Sequence, residues 1–438
     1  PHLASFPPTR STTLANKIRV VSEDGFGQTA TVGVWIAAGS VYETDKNNGA
    51  AHFLEHMAFK GTQSRSQQDI ELEVENMGGS LNAYTSREQT VYVAKCFKTD
   101  VPKMVDILSD ILQHSTLSKE HVERERSVIL KEKEVVESEV EEVVFDYLHA
   151  AAYQGTPLAR TILGETHNIK SLQREDLAQY IQTHYRGPRM VVAGAGAVQH
   201  NQLVDLAAKS FSKIPESDAA PQLGPMTFTG SEIRVRDNTV EKAHVAIAFE
   251  GVSWTHPEYF TFLVLQALVG SWDRNLGAGR TLSARLAEVV VSEGLAHSYT
   301  AFNTCYNTTG LFGVYFTAEP GNLENMSYEV INEVQRLGKG ISDLELERAK
   351  NKVKAAFLMQ LDGSGPICEE LGRQSLAFGR RVTPKEIFDR IDQISHSDLS
   401  RVVDKHCFDQ DIAVAAVGNL AELPDYNVLR GWTYWNRL

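Results

Sequence analysis

The fold and the chemistry of this chain both depend on residues 51–62, which read AHFLEHMAFKGT. His52, Glu55 and His56 form the pattern His-x-x-Glu-His within this stretch. In a helix, residues four apart lie on one face, so the two imidazoles could bind a single metal ion. Glu55 borders that face, where its carboxylate could take a proton from a water molecule. The alternative is a helix whose histidines only cap it or face solvent.

The pattern is the reverse of the zincin motif His-Glu-x-x-His and is the inverzincin signature. Zinc in a hydrolase usually has three protein ligands and one position open to water. A third ligand must therefore come from elsewhere, and the glutamates of residues 123–137 are the obvious source. Glu125 and Glu132 are two helical turns apart on one face, so one could bind the metal while the other orients a histidine. Three further glutamates fit a solvated acidic face: Glu134, Glu137 and Glu139.

The bulk composition describes an ordinary globular protein with room for two or more domains. Of its 438 residues, 42% are hydrophobic and 23% are charged. No apolar run approaches the ~18 residues that a membrane-spanning helix needs, so we expect no transmembrane segment. The net charge of −13 disfavours nucleic acid and favours basic ligands, although solubility alone would also explain it. The four cysteines form no Cys-x-x-Cys pair, which fits a reducing compartment.

The second half of the chain repeats the pattern of the first. Residues 243–249 mirror a strand predicted at 29–36, and residues 311–317 mirror one predicted at 90–96. Residues 260–269 take the place of the metal helix but contain neither histidine nor glutamate.

These patterns predict an α+β fold of two similar mixed units. Each unit would be a sheet covered by helices, and the two would enclose a chamber. We predict an N-terminal zinc-bearing catalytic unit at 1–214 and a metal-free repeat at 231–438. The Pro-, Ser- and Ala-containing segment 215–230 is the predicted linker. Residues 119 to about 149 predict one helical stretch, in which residues 128–130 face the core.

Six segments carry a resemblance to a known family: 52–62, 81–88, 125–132, 145–150, 310–315 and 425–427. They resemble the pitrilysin-type metallopeptidases. Within that family, the resemblance is to the beta subunits of the mitochondrial processing peptidase and the core proteins of respiratory complex III. It extends over nearly the whole chain.

The resemblance implies a zinc endopeptidase that removes targeting presequences from imported mitochondrial proteins. It assigns one zinc ion per chain to His52, His56 and Glu132, with Glu55 as the general base, and it leaves Glu125 as the carboxylate that orients a histidine. The competing expectation is a purely structural core protein of the cytochrome bc1 complex. Because the metal-binding residues and the base are all present, catalysis is favoured, and the two roles are compatible.

The resemblance also implies three substrate contacts. Asn82, Ala83 and Tyr84 would form an edge strand that pairs with the substrate backbone, whereas an ordinary internal strand is the plain alternative. Phe59 would contact the residue just after the cut, although the sequence alone favours a core phenylalanine.

An acidic pair on a predicted helix would complete the substrate contacts. Glu142 and Asp146 would grip the arginine two residues before the cut, because two carboxylates one turn apart can hold one guanidinium. An exposed acidic helix face is the alternative.

The expected partners are an alpha-type processing peptidase subunit (core protein 2), basic presequence peptides and the cytochrome bc1 subunits. Alpha subunits carry a glycine-rich loop, and this chain has only Gly270 and the glycines of residues 276–279 in that region. We therefore expect activity to need the alpha-type partner. The expected location is the mitochondrial matrix, or the matrix side of the inner membrane within complex III.

Overall fold

The computed structural model describes residues 7–217, 222–276 and 284–435. Within these ranges the chain forms two compact units. Unit 1 comprises Pro1–Val135, Arg160–Gly224 and Leu358–Thr383. Unit 2 comprises Val136–Ala159, Pro225–Phe357 and Pro384–Leu438. Neither unit is continuous in sequence, because each takes in a segment from the other half of the chain.

Unit 1 is built on a six-stranded mixed sheet of described residues. Its strands are β1 (Arg10–Thr13), β2 (Arg19–Asp24), β3 (Thr29–Ile36), β4 (Ser80–Thr85), β5 (Thr90–Phe97) and β6 (Met190–Gly196). They pair in the order β1-β2-β6-β3-β5-β4, so β3 is central and β4 lies at an edge. Only the β2–β6 pairing is parallel.

Helices cover both faces of this sheet. They are α1 (Ala50–Met57), α2 (Gln67–Asn76), α3 (Val101–His114), α4 (Lys119–Ser138), α6 (Thr166–Ser171), α7 (Arg174–His184), α8 (His200–Ser210) and α13 (Ser364–Phe378). Successive strand residues point to opposite faces. Val32 and Val34 of β3 therefore join the core shared with α1 and α3, while Trp35 joins a smaller core with Cys368 and Leu371 of α13.

Unit 2 has a second six-stranded sheet among the described residues. Its strands are β7 (Ser231–Arg236), β8 (Ala243–Gly251), β9 (Ser271–Asp273), β10 (Ser298–Cys305), β11 (Gly310–Ala318) and β12 (Ala413–Gly418). Its helices are α5 (Val140–Ala152), α9 (Tyr259–Val269), α10 (Arg285–Glu293), α11 (Leu323–Lys339), α12 (Asp343–Gln360), α14 (Pro384–Gln393), α15 (His396–His406) and α16 (Tyr426–Trp435).

The predicted repeat is confirmed by strand topology. Unit 2 pairs its strands in the order β7-β12-β8-β11-β10, which reproduces β2-β6-β3-β5-β4 of unit 1, including the parallel first pair. The helix α9 follows β8 as α1 follows β3. The α+β class of two mixed sheets, each covered by helices, is therefore confirmed, and the predicted chamber stays a prediction.

The two halves of the sequence exchange one helix each. From the first half, α5 packs on β12, β7 and β8 of unit 2, where Phe145 contacts Tyr315 at a ring-centroid distance of 5.6 Å. From the second half, α13 packs on β6, β3 and β2 of unit 1. The predicted contiguous ranges 1–214 and 231–438 did not include this exchange. At Gly224–Pro225 the chain crosses from unit 1 to unit 2, and this point lies inside the predicted linker 215–230. Residues 218–221 of that linker lie outside the described residues.

Two local expectations about α4 were wrong. The helical stretch predicted from 119 to about 149 is broken at Glu139, which is extended (φ −85°, ψ 96°) and separates α4 from α5. No glycine or proline marks the break, which occurs where the chain passes from one unit to the other. Val128 is 43% exposed instead of facing the core, whereas Ile129 is buried.

The aromatic end of the chain packs on its own unit. The Trp432 ring of α16 meets Tyr328 at 5.3 Å, and Tyr434 meets Phe408 at 5.7 Å. None of the helices in the described ranges is both long enough and apolar enough to cross a membrane.

The close contact between Gly372 of α13 and Trp35 of β3 predicts the effect of a substitution on stability. A Cβ atom placed on Gly372 would lie 2.0 Å from the Trp35 ring, so Gly372→Ala should destabilise unit 1 by about 2–3 kcal/mol through overpacking. The control is Gly365→Ala, also on α13, where a Cβ has no neighbour within 4 Å and the change should stay within about 1 kcal/mol. Urea unfolding of both variants measures the difference, and equal midpoints would contradict the packing argument.

Candidate metal centre

The helix α1 begins at a turn that a buried carboxylate holds in place. Gly49 precedes the helix with φ +104°, a conformation that other residues rarely adopt. The Glu43 carboxylate accepts hydrogen bonds from the Gly49 N–H (2.9 Å), the Ala51 N–H (2.7 Å) and the Asn48 amide (2.8 Å). Two of these donors are backbone groups at the start of the helix, which otherwise have no partner within it. Glu43 thereby fixes the start of α1 a few residues before His52.

Burial raises the pKa of the Glu43 carboxyl to about 7, although its hydrogen bonds from Ala51, Gly49 and Asn48 lower it. No sequence pattern points to this residue, because Glu43 lies nine positions before His52 and no helical periodicity links the two. Only the folded turn brings its side chain to the helix.

The position of α4 beside α1 depends on Arg126. Its guanidinium lies 5.7 Å from the centroid of the Phe53 ring of α1. It donates hydrogen bonds to the carbonyls of Ile169 and Leu172, which flank the end of α6. Arg126 is buried, yet it is satisfied by these acceptors and by the neighbouring Glu123. These contacts fix how far α4 extends along α1 and which of its faces points toward the histidines.

The predicted ligand atoms converge between α1 and α4. The Nε2 atom of His56 lies 2.9 Å from Oε2 of Glu132, and Nε2 of His52 lies 3.7 Å from the same oxygen. Ligand atoms of all three residues lie within 4.8 Å of one another. This is the one cluster of three such residues found in the described part of the chain. The imidazoles of His52 and then His56 hold the pKa of Glu132 below its usual value against the effect of burial, so the residue is a carboxylate.

The donor set fits a zinc ion. Two imidazole nitrogens and one carboxylate oxygen are the ligands of many catalytic zinc sites, which keep a fourth position open. Zinc–ligand bonds of ~2.0–2.1 Å at tetrahedral angles place ligand atoms about 3.3 Å apart. The observed separations of 2.9 and 3.7 Å bracket that value. The sequence leaves both Glu125 and Glu132 as candidate ligands, and in the structure the Glu132 carboxylate faces both Nε2 atoms.

Glu125 lies on the other side of His56. Its Oε2 atom is 3.5 Å from Nδ1 of His56, and its Oε1 atom is 2.9 Å from the Lys60 ammonium. Glu125 is only 4% exposed. The sequence predicts a role for Glu125 but none for Lys60. The helix α1 ends at Met57, so Lys60 lies in the turn that follows.

The Glu55 carboxylate is available as a base. Glu55 is half-buried, and no hydrogen bond to its side chain is present among the described residues. Burial, the neighbouring Tyr185 and then the Glu55 charge raise the pKa of the Tyr92 hydroxyl. Burial also raises the pKa of the Tyr185 hydroxyl; its hydrogen bond with Tyr92 lowers this pKa, and the Glu55 charge raises it. Glu55 therefore lies close to these two hydroxyl groups, which hydrogen-bond each other at 2.9 Å.

The predicted substrate strand is at the sheet edge. Asn82, Ala83 and Tyr84 belong to β4, which contacts α1. The Tyr84 side chain points away from α1, because it packs in the smaller core and its hydroxyl donates to Glu369 of α13. The Asn82 side-chain oxygen accepts from the Ala83 N–H at 3.0 Å. Any contact of Tyr84 with a peptide on the α1 side would therefore use its backbone, as strand pairing requires.

For the remaining predicted substrate residues the structure gives a position and a burial, but neither favours a substrate role. Phe59 is half-buried against the core of unit 1, which agrees with its plain alternative as a core residue. Glu142 and Asp146 are four apart on α5 of unit 2, the first exposed and the second half-buried. The substrate roles of these three residues stay predictions. Two of the glycines that the sequence analysis named, Gly277 and Gly279, lie outside the described residues.

A metal-ligand cluster on one of two topologically matched units, with a free carboxylate beside it, defines a metallopeptidase of the inverted-motif class. The chain belongs to peptidase family M16. Residues 19–166 match the family model described as insulinase (peptidase family M16), and residues 171–353 match the model described as the peptidase M16 inactive domain. The second description agrees with α9, which lacks metal-binding residues.

Relatives of known name cover nearly the whole chain. It is 52% identical over 431 residues to the mitochondrial-processing peptidase subunit beta of Bos taurus, covering 98% of this chain and 88% of that protein. It is 48% identical over 441 residues to the probable mitochondrial-processing peptidase subunit beta of Arabidopsis thaliana, covering 100% and 83%. A chain of complex III2 from Candida albicans, with Inz-5 bound, has a similar structure (TM-score 0.88, 25% identity, 97% of this chain and 99% of that chain).

The raised pKa of Glu43 predicts a pH dependence of stability. Between the ordinary carboxyl pKa near 4.5 and the folded value of about 7, the native protein holds a proton that the unfolded chain has lost. Stability should therefore fall as pH rises through this window. In Glu43→Gln this slope should be missing, so from pH 5 to 7.5 the wild type should lose about 2–3 kcal/mol relative to the variant. Chemical unfolding of both proteins at several pH values measures this, and parallel curves would contradict it.

Proposed function

We propose that this chain is the metal-bearing subunit of a zinc endopeptidase that removes targeting presequences from proteins imported into mitochondria. The proposal is carried by the convergence of His52, His56 and Glu132, with the Glu55 carboxylate one residue from His56 on the same helix. The names of the relatives, at about half identity over nearly the full chain, support the substrate class. We place one zinc ion per chain, in unit 1.

The chemistry follows from the positions of the side chains. His52 and His56 would bind through Nε2, and Glu132 through Oε2. Zinc, when bound, supplies Lewis-acid polarisation of the scissile carbonyl. Glu55 accepts a proton from the attacking water on its carboxylate and later returns a proton to the leaving amine. Glu125 holds the His56 ring at Nδ1, which keeps Nε2 directed at the site.

Substrate binding in this proposal uses backbone and charge. Among the described residues β4 pairs with β5 alone, so its other edge could pair with an extended peptide without reading its sequence, which suits presequences of varied sequence. Phe59 would contact the residue after the cut. Glu142 and Asp146 would hold an arginine two residues before it, and the net charge of −13 would favour basic peptides.

The proposed assembly pairs this chain with an alpha-type processing peptidase subunit. The relatives are named as subunits, which supports a partner. We place the protein in mitochondria, in the matrix or on the matrix side of the inner membrane.

The role of Glu55 is tested by Glu55→Gln, assayed with an alpha-type partner. The amide keeps the shape of the side chain but cannot take a proton, so cleavage should fall by about 100-fold or more. Zinc content, measured by atomic absorption, should stay at one per chain. Glu134→Gln, at an exposed position of α4, is the matched control and should leave both values unchanged. Full activity in Glu55→Gln would remove the assignment, and two zinc ions per chain would contradict a metal-free unit 2.

The arginine contact is tested by the double variant Glu142→Gln with Asp146→Asn. A carboxylate pair that grips a guanidinium should contribute at least ~2 kcal/mol, so kcat/KM should fall about 30-fold on peptides with arginine two residues before the cut. Peptides with alanine there should be cut poorly by both enzymes, with little further loss. This design is a double-mutant cycle between enzyme and peptide.

The matched control for this cycle is Glu71→Gln with Glu75→Gln. That pair is also four apart on an exposed helix face and removes the same charge. Equal losses on both peptides in the Glu142/Asp146 variant would make that pair structural.

A second role as a core subunit of respiratory complex III is favoured by one observation, the similarity to a chain of the Candida albicans complex. The two roles are compatible, because the second needs no catalysis. In a gently solubilised membrane, the native protein should co-migrate with cytochromes b and c1. Migration only as a smaller complex with an alpha-type subunit would exclude this second role.

A further inference from the structure

A short polar chain connects the end of α1 to the metal centre from behind. The Lys60 ammonium lies 2.9 Å from Oε1 of Glu125, and Oε2 of Glu125 lies 3.5 Å from Nδ1 of His56. The two oxygens of one carboxylate thus face two different partners. The function proposed for this site uses Glu125 and His56 but assigns nothing to Lys60.

The turn after α1 brings Lys60 to this position. The Lys60 N–H donates to the Met57 carbonyl at 3.2 Å, which continues the helical direction for one further turn. Gly61 then has φ +112° and redirects the chain. Lys60 is thereby held close to the end of the helix, with a half-buried side chain that reaches α4.

Lys60 is the cation that contacts Glu125 among the described residues. The adjacent Arg126 is committed to Glu123 and to the carbonyls of Ile169 and Leu172. A carboxylate that is only 4% exposed and had no cation beside it would be free to turn toward other donors or toward solvent. The ammonium fixes Oε1 and leaves Oε2 to face the imidazole.

Of the two histidines, His56 is the one that this carboxylate contacts. The Nδ1 atom of His52 is buried and has no hydrogen-bond partner among the described residues. The Nδ1 atom of His56 faces Glu125. Metal-binding imidazoles are usually oriented through the nitrogen that does not bind the metal, and here only the His56 ring has such a contact.

We propose that Lys60 is a positioning residue of the metal centre: its ammonium holds Glu125 in the orientation that directs Nε2 of His56 to the metal. This deepens the proposed function and rests on it. The plain alternative is an ion pair that ties the end of α1 to α4 and has no effect on the metal.

Electrostatics alone predicts the opposite sign, which sharpens the test. Removing the ammonium leaves a site with more negative charge, so a pure charge effect would tighten zinc binding. Loss of positioning would weaken it. The sign of the change in zinc affinity of Lys60→Met therefore separates the two effects.

The experiment measures the zinc dissociation constant of the full chain with its alpha-type partner by competition with a chelator, alongside unfolding of the metal-free protein. Lys60→Met should weaken zinc binding by about 10–100-fold. Lys60→Arg, which keeps a cation, should recover to within about threefold of the wild type. In a Glu125→Gln background, Lys60→Met should have less than a threefold further effect, because the residue acts through that carboxylate.

The matched control is Lys103→Met, which removes another lysine of unit 1 from its ion pair with Glu73 and should leave zinc affinity unchanged. Unchanged or tighter binding in Lys60→Met would overturn the proposal, as would an equal loss in the Glu125→Gln background. If Lys60→Met does not fold, Lys60→Gln carries the same expectations. Absence of zinc from the wild type, or activity in Glu55→Gln, would instead overturn the proposed function.

Discussion

The register between α1 and α4 is the constraint on which the metal centre depends. The two helices are joined by 61 residues that also form α2, α3, β4 and β5, so nothing local fixes their alignment. Arg126 fixes it, by packing over Phe53 and donating to the carbonyls of Ile169 and Leu172. A slip of one residue would turn Glu132 by ~100° and shift it by ~1.5 Å, which would remove it from both histidines. The alignment of these two helices therefore determines whether a metal site exists.

Buried ionisable side chains do much of this alignment. Glu43, Glu125 and Arg126 are all nearly excluded from solvent, and each has polar partners that satisfy it. Such groups are costly when one partner is lost, so the arrangement tolerates few alternatives. An apolar core would tolerate small shifts of α1, whereas the hydrogen bonds of Glu43 to the start of the helix and the Lys60–Glu125 contact at its end do not. The cost of leaving a buried polar or charged group without a partner thus produces the positional accuracy that a metal site needs.

The two units share one strand topology but differ in the residues of the helix that follows the central strand. In unit 1 the helix after the central strand presents histidines, whereas in unit 2 the corresponding α9 is apolar and buries Phe262 against Phe312 of β11. Both sheets are covered on their second face by a helix from the other half of the sequence, α13 and α5. A helix exchanged in this way adds core to a unit without lengthening its own half of the chain. The match of the second half to the M16 inactive domain agrees with a unit that keeps the fold and lacks the metal residues.

The sequence by itself determined the elements and the chemistry that depend on local spacing. His52 and His56 share a helix face because they are four apart, Glu125 and Glu132 share one because they are seven apart, and the repeat is visible in the order of strands and helices. The tertiary structure decided everything that depends on contacts between distant segments. It selected Glu132 over Glu125 as the residue facing both Nε2 atoms, broke the helix at Glu139 without a glycine or proline, and exchanged α5 and α13 between the units. It also brought Glu43 and Lys60 to the two ends of α1. Periodicity reports which residues share a face of one element, but only packing between elements determines what that face meets.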